Sequence, residues 1–100
     1  MIRVVVKGKH IVITGHADYA DKGQDIVCAS VSSIVTTSIN AALRIDADYL
    51  IYEYKKDKLD IMIKKDNNDA YLVMENMIVM LEELSQTYKK NIKVSKEGIL

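Results

Sequence analysis

The sequence predicts an α+β fold: a two-layer sandwich in the order ββαββαβ, with two helices on one face of a mainly antiparallel sheet. Three observations point there. Two pairs of short β-branched or alternating runs are each joined by a tight turn. Two longer stretches carry apolar residues at helical spacing. Each of these follows one of the pairs, and a short strand-like run comes last. The 100 residues, 49% of them apolar, supply one modest core, so residues 1–100 read as a single domain without repeat or linker. Phe, Trp and Pro are absent, so that core must come from Ile, Val, Leu, Met and Tyr.

Ile2 to Val6 and His10 to Thr14 are β-branched runs on either side of Lys7-Gly8-Lys9, which reads as an antiparallel hairpin. Asp25 to about Arg44 reads as a helix whose core-facing stripe is Val27, Val31, Ile34, Val35, Ser38, Ala42 and Leu43. Asp25 or Gln24 stands where an N-cap would accept first-turn amides. Ser30, Ser33 and Thr37 form a second stripe, small enough to let another backbone approach. Asp48 to Tyr54 alternates as a strand, with Leu50, Tyr52 and Tyr54 on one face and Tyr49, Ile51 and Glu53 on the other. Lys55-Lys56-Asp57-Lys58 turns the chain into Leu59 to Ile63. Asp66-Asn67-Asn68-Asp69 supplies turn and cap chemistry for a helix to about Tyr88. Its buried face should hold Ala70, Val73, Met74, Met77, Leu81, Leu84 and Tyr88, with Lys89 and Lys90 in its last turn. Asn91 to Ser95 completes the sheet. Met62, Met74, Met77 and Met80 read as core filler, Met80 being the one that can escape the stripe.

Fourteen basic residues balance 14 acidic ones, so no chain-wide basic field attracts nucleic acid. The pairs Lys55-Lys56, Lys64-Lys65 and Lys89-Lys90 read as solvated ends of elements. A single cysteine forms no intrachain disulfide, which fits a reducing compartment. The apolar part of Met1 to Lys7 is too short for a signal peptide, and no apolar run approaches the roughly 20 residues of a membrane span. A cytoplasmic protein without membrane or direct nucleic-acid partners is expected. One cysteine and two histidines do not assemble a zinc site, and the glycines match neither phosphate-loop nor dinucleotide fingerprints, so no metal or cofactor is expected.

The chemistry concentrates between Gly15 and Ala29. Cys28 falls in the first turn of the long helix, where the macrodipole and amides without intrahelical acceptors favour a thiolate and could stabilise an oxyanion. His16 closes the preceding strand with eleven residues between it and Cys28, and Gly15 and Gly23 allow the bends that return it to the helix start. An imidazole there could take the thiol proton and pass it to a leaving amine. Asp18, Asp21 and Asp25 are candidates to orient it, and Ser32 lies one helical turn beyond Cys28. Tyr19 could contact substrate or merely cover the site. The plainer reading makes Cys28 a small core residue and the glycines ordinary turns. His10 reads as a solvent-side residue without a role.

Gly15-His16-Ala17, Gly23, Asp25-Ile26-Val27-Cys28-Ala29 and Val31-Ser32 together resemble the signature of the ribosomal-processing cysteine proteases, the Prp family. Element order and chain length extend the resemblance over essentially the whole chain. It implies a bacterial cytoplasmic endopeptidase, often homodimeric, that removes an N-terminal extension from large-subunit ribosomal protein twenty-seven during ribosome maturation. It implies Cys28 as nucleophile, His16 as base, and Asp25 and Ser32 as supporting residues. It also implies a substrate loop taking in Gly15, Ala17, Tyr19 and Gly23 that orders around the bound peptide. The family often has alanine where this chain has Ser30, a small change beside the helix surface. Two other readings stay open: a ribosome-associated binding protein without turnover, and a thiol redox sensor, the latter lacking a resolving cysteine.

Overall fold

The computed structural model describes residues 1–15 and 26–97. Its elements are β1 (Ile2–Lys7), β2 (His10–Thr14), α1 (Ile26–Ile45), β3 (Leu50–Lys55), β4 (Lys58–Ile63), α2 (Asn68–Thr87) and β5 (Ile92–Glu97), the expected ββαββαβ order. The strands form one sheet in the order β3-β4-β2-β1-β5. Both hairpins are antiparallel, β4 lies antiparallel to β2, and β5 joins β1 in parallel, so the sheet is mixed.

Alternation assigns the two faces. Ile2, Val4, Val6, Ile11, Leu59, Ile61, Ile63 and Ile92 point into one core with Val27, Val31, Val35, Ile39 and Ala42 of α1 and Ala70, Met74, Met77, Ile78 and Leu81 of α2. Ile39 and Ile78 extend the helix stripes past the residues that sequence spacing selects. Arg3, Lys7, His10, Asp60 and Met62 lie on the opposite, open face. Met62 is therefore not core filler: its alternation with buried Ile61 and Ile63 turns it to solvent, and Met80 is exposed too. His10 does have a partner, bonding Asp60 two residues from its cross-strand neighbour Met62. That bond, with Lys58 3.4 Å away as well, holds the Asp60 carboxyl below its ordinary range.

Tyr49 precedes β3 and is buried, whereas Tyr52 and Tyr54 are 51% and 70% exposed. β3 is an edge strand, and its Ile51, Tyr52 and Tyr54 are exposed. α2 stops at Thr87 with Tyr88 as C-cap, which leaves Lys89 and Lys90 beyond the helix rather than in its last turn. Asn67 caps its start, accepting the amides of Asp69 and Ala70 at 3.1 Å each. By length and composition α1, with mean hydropathy 1.6, would meet the test for a membrane span. The expectation that no apolar run approaches that length does not hold for α1, whose scattered Ser and Thr residues hide a high average, and its valine stripe packs in the core.

Asp46 ties the end of α1 to the start of α2. Its carboxylate accepts the Asp48 amide at 3.0 Å and the Asn67 side-chain amide at 3.3 Å, and pairs with Lys65 at 3.0 Å. The Lys65 hydrogen bond foremost, then the Asp48 amide, hold Asp46 below its ordinary carboxylate range. At the other end of the sheet, Gly15 ends β2 in the left-handed region at φ 88°, and a Cβ there would overlap the Met1 carbonyl.

Two stability predictions follow from these contacts. A depressed folded pKa stabilises the fold above the unfolded value of 3.8 and ceases to as pH falls through the folded value. Asp46→Asn should therefore lower the thermal midpoint at pH 7, and the gap to wild type should close in acid; a gap independent of pH would contradict the assignment. Gly15→Ala should cost at least about 1 kcal/mol in denaturant unfolding, from the left-handed backbone and the overlap together.

Candidate active site

Cys28 is the third residue of α1. Helical spacing buries its neighbours Val27 and Val31 completely or nearly so, while Cys28 itself is half-buried at the rim of the core. It is not sealed among aliphatic groups, as the plainer reading would have it. It opens onto a cleft of about 260 Å³. Ser32 and Val35 continue the α1 wall of that cleft, Ile2, Ile13 and Gly15 form its floor and end, and Tyr54, Asp57, Lys58 and Leu59 of the β3–β4 hairpin close the other side.

The strand order makes this enclosure. β4 pairs with β2 so that Thr14 faces Lys58, which sets the β3–β4 turn beside the end of β2. The Gly15 amide then donates to the Asp57 carbonyl at 3.1 Å. Cys28, Ser32 and Gly15, three of the residues singled out by sequence, thus share one cleft. Ser32, exposed and one turn past Cys28, lines the same cleft. His16, Ala17, Tyr19, Gly23 and Asp25 lie outside the described residues. Tyr54, Asp57 and Lys58 were not legible as site residues: their turn is plain in the sequence, but no local pattern says that β4 will pair with β2.

The thiol sits where α1 carries the positive end of its macrodipole, a field that favours a sulfur anion and negative charge on a carbonyl oxygen held beside it. Among the described residues no cluster of three or more His, Cys, Asp or Glu side chains could hold a metal ion. The cleft continues into a smaller trough of about 210 Å³ lined by Thr36, Ile39, Asn40 and Tyr52, with Val35, Tyr54 and Leu59 common to both. The two together run along one side of α1.

This arrangement is shared with known proteins. The protein of Bacillus subtilis (strain 168) named ribosomal processing cysteine protease Prp is 31% identical over 112 residues, covering 95% of this chain and 96% of that one. A crystal structure of an essential ribosomal processing protease Prp from S. aureus, in complex with a covalently linked product peptide, superposes with a TM-score of 0.91 at 28% identity, over 97% of this chain and 100% of the other. A crystal structure of the S. aureus protease with a substrate peptide gives a TM-score of 0.85 at 25% identity, with the same coverage of 97% and 100%. The model of the family described as cysteine protease Prp matches residues 1–93. With a helix-start thiol opening onto a cleft, the expected strand and helix order, and a family match over nearly its whole length, the chain belongs to the Prp family of cysteine proteases.

Proposed function

We propose that this chain is the endopeptidase that removes the N-terminal extension of large-subunit ribosomal protein twenty-seven, with Cys28 as nucleophile and His16 as base. The observation that carries the reading is the half-buried Cys28 at the start of α1, opening onto a cleft that continues as a trough along the helix. From Cys28 to Asn40 the helix rises about 18 Å, the reach of about five residues of extended peptide. The Cys28 sulfur attacks the scissile carbonyl carbon, and the α1 macrodipole stabilises the resulting oxyanion. His16 gives its proton to the leaving amine, the C–N bond breaks, and the N-terminal fragment remains as a thioester. Water, deprotonated by His16, hydrolyses that thioester and restores the thiol. Asp25 orients the imidazole or caps the helix, and Ser32, which lines the cleft, joins the hydrogen bonding. Gly15, Ala17, Tyr19 and Gly23 belong to the segment that meets the peptide.

The relatives support this substrate: a B. subtilis protein is named for ribosomal processing, and S. aureus Prp carries substrate and product peptides. The whole of residues 1–100 acts as one protease domain in this reading, in the cytoplasm, where a lone cysteine stays reduced. Its partner is a protein rather than a nucleic acid or a membrane. A net charge of zero supports that, as do Lys7, Lys58, Lys65 and Lys96, each lying against a carboxylate.

A second copy of the chain is the other proposed partner. Ser33, Thr37 and Ala41 of α1 and Leu72 and Met80 of α2 line a groove of about 680 Å³ on the outer helix face. Leu72 is 63% exposed and Met80 43%, a surface that pairing across a twofold would cover.

Two measurements test these readings. Cys28→Ala should abolish removal of the extension from the purified precursor, at least a thousandfold in rate, while the circular dichroism spectrum stays that of wild type. Undiminished cleavage would refute the mechanism. Sedimentation should give twice the chain mass for wild type and the single mass for Leu72→Arg; a wild-type monomer at all concentrations would refute the dimer.

A further inference from the structure

The helices pack on one face of the sheet, and the opposite face carries a row of cations that crosses every strand. Lys55 lies beside Lys58, Lys58 beside Thr14, Thr14 beside Arg3, and Arg3 beside Lys93. Arg3, Lys58 and Lys93 point away from the helices, because their chain neighbours Ile2, Leu59 and Ile92 point into the core. Register puts Lys55 and Thr14 on the same face. All four cations are exposed. With strands about 4.8 Å apart, the row is about 19 Å long. Like charges side by side on neighbouring strands destabilise a sheet. Two such pairs stand here, Lys55 with Lys58 and Arg3 with Lys93. The first is relieved within the chain, by Glu53 at 3.7 Å from Lys55 and Asp60 at 3.4 Å from Lys58. The second is not: among the described residues, no carboxylate pairs with Arg3 or Lys93. Beside it, half-buried Val5 and Val12 are neighbours in the adjoining row and add an aliphatic strip.

We propose that this row docks an acidic segment of a partner protein, with carboxylates against Arg3 and Lys93 and an aliphatic side chain against Val5 and Val12. The fold keeps a repulsive pair at its own cost, and anions supplied from outside relieve it. The row matches about six residues of extended peptide. A single-stranded nucleic acid would find cations for its phosphates but no platform for its bases. Val5, Val12, Ile51 and Met62 are the apolar members of this face, whereas Tyr52 and Tyr54 lie on the helix side. The net charge of the chain is zero, so the attraction is local to the row. Neither Arg3 nor Lys93 lines the Cys28 cleft, and a segment held against them leaves the cleft open. The proposal does not rest on the protease reading.

Fluorescence anisotropy of a labelled octapeptide, glutamates around two central leucines, tests this on the full chain without turnover. Wild type should bind the peptide at low ionic strength, and added salt should weaken the binding. Arg3→Glu and Lys93→Glu should each weaken it by at least about tenfold, since each sets like charge against like. Lys64→Glu makes the same change of charge beyond the far end of β4 and should alter binding by less than about twofold. Lys93→Glu places a carboxylate beside Arg3, so its thermal midpoint should equal or exceed that of wild type, which separates lost binding from lost folding. All binding is read well below each variant's midpoint. Absence of binding by wild type would overturn the proposal. Equal losses in the Lys64 and Lys93 variants would overturn it too, showing attraction to any surface lysine. Tighter binding of an oligouridylate of equal charge would overturn it in favour of a nucleic acid.

Discussion

The pairing of β4 with β2 is the constraint on which the site depends. Its register sets Thr14 opposite Lys58 and so delivers the β3–β4 turn to the place where β2 ends. A hairpin paired elsewhere would leave Cys28 on an open helix end. With this register the thiol has a wall of Tyr54, Asp57, Lys58 and Leu59 facing it across a cleft. A slip by one residue would reverse every side chain of β4, sending Leu59, Ile61 and Ile63 to solvent. The core therefore enforces the register, and the register builds the cleft.

Burial and exposure divide α1 between two tasks. Val27, Val31, Val35, Ile39 and Ala42 anchor it in the core, which fixes the axis of the helix and the direction of its dipole. Cys28 and Ser32 lie one turn apart beside that stripe, close enough to the core to be held and far enough from it to be reached. Such a placement gives Cys28 both a defined position and access from the cleft, the two properties that the proposed role of nucleophile requires. The edge position of β3 contributes the rest: Tyr52 and Tyr54 point to the helix side of the sheet yet remain exposed, leaving an apolar trough open for a chain to occupy.

Much of this was legible in the sequence, for physical reasons that can be named. Alternation revealed both hairpins, and helical spacing revealed both helices, because each pattern records burial against one shared core. Asn67 was legible as a cap since its side chain bonds within three residues. Cys28 and Ser32 were legible because their position on α1 is a local matter. The open-face place of Met62 is contained in its alternation with Ile61 and Ile63, and only its chemical type points to the core. The roles of Asp57, Lys58 and Tyr54 were not legible at all, since they arise from strand order, and strand order is set by contacts between residues more than forty apart in the chain. His10 shows the same limit, its Asp60 partner being visible only once β2 and β4 are neighbours.

The positive end of the α1 dipole favours Cys28 as a thiolate at neutral pH. The most direct measurement is the rate of Cys28 alkylation by iodoacetamide as a function of pH, the residue being the chain's only thiol. An activated sulfur reaches half its maximal rate well below the value of about 8.5 typical of free cysteine. A midpoint at or above that value, or a thiol that hardly reacts at any pH at which the protein is folded, would contradict it.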